Sequence, residues 1–568
     1  MAEVILSPGV FQIESDQSTY TQAPPALGAA IVGPTVGGRP YIPTYVTTYS
    51  QYLSLFGDIF KSGSYYFEYL TSMAAKEYFN NGGQTLLVTR IINGTANINT
   101  YATSNVTSGS TTQLVLETLD WGDKMNNTSS MSNGALANGS AYNVRWEVTN
   151  VNPILGTFSI VVRRGDDNQS TKNILETWAN MSLDPQLPNY VSRVIGDLKP
   201  KYDVANGYVT YDGTYPNASQ YVRVASVTSP NVDSIDNNGN YRTVQYAGTL
   251  PTTGSGSYGG SFSGGAIDTA LPKLMNENIS LSNIQGFQPA DYNLAFNLLS
   301  NADEYSYNVL LAPGVALGSG ADDNMIATAE GRGDAIAITD ATVYGQSVSA
   351  ATSAAGGSSS NYAATYWPWV QLFSSNLGKT VWCPPSTVIG GVLAFNDQVG
   401  AEWFAPAGLN RGGIPSVIRA ERRLQQSDRD TLYLANVNPL ATFPGTGVCV
   451  WGQKTLQRKP TSLDRVNVRR LLIALKGFIG GVSRGLVFEQ NTTVTRNRFL
   501  SQVNPYLSSV VQRQGLYAYK VVMDDSNNTP DVVDRNQLVG QIYIQPTKTA
   551  EFIILNFNIL PTGATFPA

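Results

Sequence analysis

Residues 307–340 read YNVLLAPGVALGSGADDNMIATAEGRGDAIAITD, and this stretch sets the fold class. Tyr307–Ala312 is an apolar run of strand length, closed by the turn pair Pro313-Gly314. Asp322–Arg332 reads as a helix, and Asp334–Asp340 as a second buried strand. Strands that alternate with helices in this way imply a largely parallel sheet.

The same pattern continues on both sides. Downstream, a Gly/Ser loop at Ala354–Ser360 precedes Ala364–Val370, whose sequence is ATYWPWV. Far upstream, Thr85–Ile92 is another buried strand. Before it, Tyr65–Phe79 has the spacing of an amphipathic helix, which Asn80-Asn81-Gly82-Gly83 would end. Between these halves the chain becomes rich in Asn, Ser, Thr and Gly, with strand candidates at Gln113–Leu119, Asn143–Val148 and Gly156–Val162. The C-terminal part has a helix Leu463–Leu475 capped by Ser462, and strands at Leu538–Gln545 and Ala550–Leu560. Asn504-Pro505 either starts a helix or lies within a kinked one that carries Phe499, Val503, Leu507 and Val511. The expected fold is α+β and multidomain. Residues 1–22 form an extended arm, 23–92 and 301–440 the two parts of an α/β core, 93–300 one or more β-rich inserted domains, and 441–568 an α+β C-terminal domain.

Composition narrows the chemistry. Among 568 residues there is no histidine, which excludes Ser-His-Asp and Cys-His catalysis and His-ligated zinc. Cys383 and Cys449 are too few for a disulfide framework or an all-cysteine zinc site. Charged residues make up 14%, against about 25% in ordinary proteins. Such a surface suits close packing against other subunits, since little charge must lose its water. No cofactor is expected, and carboxylate-based hydrolysis has no convincing constellation. The N-terminus has no secretory signal pattern and no window is apolar enough to span a membrane, so membrane insertion is not expected. The net charge of −5 hides a division. Residues 410–520 carry 17 Lys/Arg against 5 Asp/Glu, while the rest carry 19 against 36. A basic segment on an acidic remainder marks a partner surface, with nucleic acid or an acidic protein as candidates.

Several stretches together resemble the tail sheath proteins of contractile bacteriophages and related injection systems. They are Ser7-Pro8-Gly9-Val10, Tyr78–Gly83 leading into Val88-Thr89-Arg90, and Ala329–Ala335. The sharpest block is Tyr362–Trp369, with Pro384-Pro385-Ser386, Gly390-Gly391, Asp397 and Ala405–Gly408; Trp451–Leu456, Asn467–Leu471 and Glu551-Phe552-Ile553 continue it. Gly390 departs from the pattern, which more usually has Ala, and Gln490-Asn491 stands where Pro-Asn is expected. The resemblance covers residues 2–92 and 300–557, and only parts of the middle.

The resemblance implies a structural subunit that polymerises as stacked, six-fold rings around a tail tube. Contraction then drives the tube through the host envelope during genome delivery. Its partners would be copies of itself, the tube protein, and baseplate and tail terminator proteins. It would make no direct contact with nucleic acid, which lies inside the tube. It would belong to the virion tail and assemble in the host bacterial cytoplasm. The family exchanges terminal strands between neighbours, and Val4, Leu6, Val10, Phe11, Ile13, Phe552, Ile554 and Phe557 are the expected intersubunit arm residues. The alternative is that both ends complete their own subunit's sheet. Arg465, Arg469, Arg470 and Lys476 are the expected tube-facing basic helix, with a solvated face or ion pairs to neighbouring sheath subunits as the competing readings. A β-rich surface protein that binds host glycans is the alternative function.

Overall fold

The structure, a computed structural model, describes residues 28–62, 65–127, 133–227, 238, 249–254, 260–266 and 279–552. One eight-stranded sheet organises it. Its strands are β1 (Ala29–Gly33), β2 (Thr44–Val46), β3 (Leu86–Arg90), β4 (Val309–Ala316), β5 (Ile336–Asp340), β6 (Ala363–Trp367), β7 (Val437–Phe443) and β8 (Gly447–Val450), in spatial order β2-β3-β1-β4-β5-β6-β7-β8. The six central strands are parallel, and β2 and β8 close the edges antiparallel.

Helices cover both faces, which is why the strands are apolar without alternation. Ala30, Val32, Leu87, Leu310 and Ala337 pack under α2 (Pro289–Leu299) and α3 (Ala321–Arg332), through Phe296 and Met325. Ile31, Leu86, Val88, Leu311 and Ile338 pack under Met73 of α1 (Leu70–Asn80) and Ile389 of α4 (Ser386–Val399). Helices α1 and α4 approach closely at Gly391, where a Cβ would lie 2.8 Å from the Glu77 carbonyl oxygen.

Residues 103–227 form separate antiparallel sheets. Thr103–Ser108, Thr111–Thr118 and Val222–Val227 make one, and Val144–Asn152, Thr157–Arg164 and Ile174–Ser182 another. Leu114, Leu116, Trp146, Ile160 and Val222 share one core with both. The hairpin Lys199–Asp203/Tyr208–Asp212 ties this region to the core sheet, with Tyr202 stacked on Tyr41 at 5.1 Å. At the C-terminus, α5 (Val466–Arg484) and α6 (Thr493–Gln512) pack through Leu471, Leu475, Phe499 and Val503. They adjoin a two-stranded sheet, Leu516–Val522 against Gln541–Pro546.

Three local expectations change and one open alternative is resolved. Strand β4 does not end at Pro313-Gly314. It continues through a bulge in which Gly314, at φ 93°, donates its N–H to Asp340 Oδ2. The helix expected from Tyr65 begins at Leu70, because Tyr65–Glu68 pairs with Ile59–Ser62 as a hairpin. Aromatic residues favour that pleated surface, and Phe60 and Phe67 stack across it. The helix expected at Leu463 begins at Val466, after a single tight turn capped by Thr461. Pro505 lies inside α6, which selects the continuous helix.

Candidate functional site

The features relevant to assembly gather around α5 and the chain end. Four cations were expected on a tube-facing helix, and the structure divides them. Arg470 is buried and points into the core region. Its Nη1 and Nη2 donate to Asp397 Oδ1 and Oδ2 at 2.7 and 2.6 Å. Burial opposes its charge, but Asp397 outweighs that and holds the guanidinium above its ordinary value. Arg469 is also buried; it donates to the Asn361 carbonyl and side-chain oxygens and lies 3.9 Å over the Tyr362 ring. Burial lowers its pKa. Both arginines therefore fasten α5 to their own chain, and neither presents an exposed charge. Lys476 is exposed and donates to the Tyr362 hydroxyl at 3.1 Å.

Arg465, just before α5, holds the segment that follows the two-stranded sheet. Its Nε donates to Glu551 Oε1 at 2.7 Å and its Nη2 to Glu551 Oε2 at 3.0 Å. Tyr433 also donates its hydroxyl to Glu551, and accepts from Arg465 Nη2 at 2.9 Å. Burial works to raise the Glu551 pKa, but the bonds from Arg465, Tyr433 and Gln453 hold it below the usual carboxylate range. A cleft of about 670 Å³ lies between residues 460–468 and the terminal residues 546–552.

Of the expected arm residues, Phe552 is described. It is exposed and meets Tyr433 edge-on at 6.1 Å. Val4, Leu6, Val10, Phe11, Ile13, Ile554 and Phe557 lie outside the described residues. The two-stranded C-terminal sheet pairs with no further strand among the described residues.

Other charged and aromatic clusters have structural uses. Arg332 and Asp334 pair with each other, and the Arg332 side chain is buried. Asp322 accepts from the Gly318 and Gly320 N–H groups at the start of α3. Tyr366, Trp367 and Trp369 are core residues. Both cysteines are buried, and burial pushes the Cys449 thiol up to about 11. Among the described residues, no group of three or more His, Cys, Asp or Glu could hold a metal ion, and no helix is long and apolar enough to cross a membrane.

Residues 285–456 match the phage tail sheath protein central domain, and residues 458–560 the phage tail sheath C-terminal domain. Just under half of the chain thus matches tail sheath domains. Over 185 residues the chain is 42% identical to the tail sheath protein of Enterobacteria phage T4 and 40% identical to that of Vibrio phage KVP40. Each alignment covers 33% of this chain and 28% of the relative, so the chain matches under a third of each relative's length. The crystal structure of a sheath tail protein from Listeria innocua aligns with a TM-score of 0.51 at 10% identity, covering 92% of this chain and 95% of that one. That likeness is one of fold.

Asp397 and Glu551 were not recognised as site residues. Each stands in a stretch that carries the family resemblance, which was the available signal. Their roles depend on arginines 73 and 86 residues away.

Proposed function

We infer that this chain is the structural subunit of a contractile tail sheath, which polymerises as stacked six-fold rings around a tail tube and contracts to drive it through the host envelope. The observation that carries this reading is the pair of matches to sheath domains over residues 285–560, whose C-terminal sheet has two strands among the described residues. Such a sheet is marginal by itself and its open edges accept further strands. Strands from neighbouring subunits would complete it through backbone hydrogen bonds, a link that survives rearrangement of other contacts. Residues 1–22 and the chain beyond Phe552 are the proposed arms.

The same reading makes residues 93–300 an outward-facing insert between the two parts of the α/β core, 23–92 and 301–440, with 441–568 as the C-terminal sheath domain. The tube, the baseplate and the tail terminator are the further partners, with the virion tail as the location and the host cytoplasm as the place of assembly. Of the proposed tube-facing cations, Lys476 is the exposed one on α5 and Arg465 is half-buried. The curated relatives are sheath proteins, which leaves the glycan-binding reading without support.

Electron microscopy of concentrated purified protein tests the function. Hollow tubes or rings are expected; a small discrete oligomer would overturn it. A variant lacking residues 1–16 should lose continuous tubes, and retention of them would overturn arm exchange.

A further inference from the structure

After Pro546 the chain leaves its two-stranded sheet and crosses to another part of the molecule as an extended strap, residues 547–552. The strap pairs with no strand among the described residues, so specific side chains hold it. At its start, Thr547 donates its hydroxyl to the Gln514 carbonyl at 2.8 Å. At its far end, Gln453 Nε2 donates to Thr549 Oγ1 at 2.6 Å and to Glu551 Oε1 at 3.0 Å. With Arg465 and Tyr433, Glu551 thus takes donors on both oxygens from three separate segments of the chain. Lys454 lies 3.9 Å over the Tyr433 ring and donates to the Tyr433 carbonyl at 2.8 Å, which fixes that ring in place.

Backbone pairing between strands is nearly indifferent to sequence and fixes no boundary along an arm. A bidentate arginine–carboxylate contact with two further donors is specific to one residue in one place. We propose that Glu551 is a clasp that keeps the strap on its own subunit, so that exchange of the C-terminal arm begins after Phe552 and the arm pivots there. This rests on the arm-exchange reading above. Glu551 and Arg465 are then positioning residues: they set where the arm departs and take no part in the pairing itself.

The test is a cross-link made within assembled tubes. Ser462→Cys and Lys548→Cys are exposed positions on either side of the cleft and leave every contact to Glu551 intact, whereas the native Cys383 and Cys449 are buried from reagent. After treatment with a short bismaleimide and denaturation, the linked chains should run at monomer mass. A ladder of multimers would show that the strap itself is exchanged and would overturn the clasp while leaving the sheath reading intact. Failure of the unsubstituted protein to form tubes would instead overturn the sheath reading. A second variant tests the residue itself. Adding Glu551→Gln to the cysteine pair should turn at least about half of the monomer-mass product in tubes into multimers. An unchanged product would overturn the proposal.

Discussion

Arg470 and Asp397 meet through two parallel charge-assisted hydrogen bonds, one to each carboxylate oxygen, and join α5 to the end of α4. The arginine side chain is 2% exposed and the aspartate 30%. Removing one partner of such a pair leaves the other charge without compensation. Asp397→Ala should therefore destabilise the protein by about 3 kcal/mol. Urea unfolding of the monomer measures it.

Charge reversal on α5 separates folding from partner contact. Arg470→Glu would place two carboxylates together, and the monomer should fail to fold before assembly is tested. Lys476→Glu changes an exposed group and should shift stability by no more than about 0.5 kcal/mol. If Lys476 faces the tube, that variant should fold normally and assemble poorly on tubes. Thermal melts beside tube-templated assembly assays distinguish the two effects.

The adjacent glycines of α4 should differ. A Cβ on Gly391 would lie 2.8 Å from the backbone oxygen of Glu77, which cannot move without shifting α1. A Cβ on Gly390 would meet the end of the Leu311 side chain at 2.6 Å, and a side-chain tip can rotate away. Gly391→Ala should cost about 1–3 kcal/mol and Gly390→Ala less, as measured by denaturant titration.

Asp340 is buried at the end of β5, and burial raises its carboxyl to about 7 against the donors from Ser386 and Gly314. The unfolded chain releases this proton near 3.8, while the folded chain keeps it until about 7. Folding therefore takes up a proton between those values, and this group's contribution to stability falls as pH rises through that window. The Tm of Asp340→Asn should depend less steeply on pH across it than that of the unsubstituted protein.

The sequence revealed the parallel core because runs such as Val309–Ala312 and Ala335–Ile338 are apolar at consecutive positions, a local property. The start of α1 was misread because Tyr65–Glu68 is equally compatible with one helical face, and its hairpin partner Ile59–Ser62 decided the outcome. The basic helix was misjudged for a longer-range reason. Arg469 meets Asn361 and Arg470 meets Asp397, partners 108 and 73 residues away. A cluster of cations looks the same in sequence whether it faces a partner or fastens its own chain. Glu551 was quoted as a motif residue without a role, since Tyr433, Gln453 and Arg465 converge on it only in three dimensions.

The two-stranded C-terminal sheet also bears on loyalty between copies. Under the proposed arm exchange, backbone hydrogen bonds would offer an incoming arm almost no means to tell its own kind from a related one. Discrimination would then fall to the side chains of that sheet, where Tyr519, Val521, Ile542 and Ile544 face inward while Tyr517 and Tyr543 are exposed. In a bacterium infected by two related phages, those few positions would decide whether the polymers stay pure or grow as mosaics.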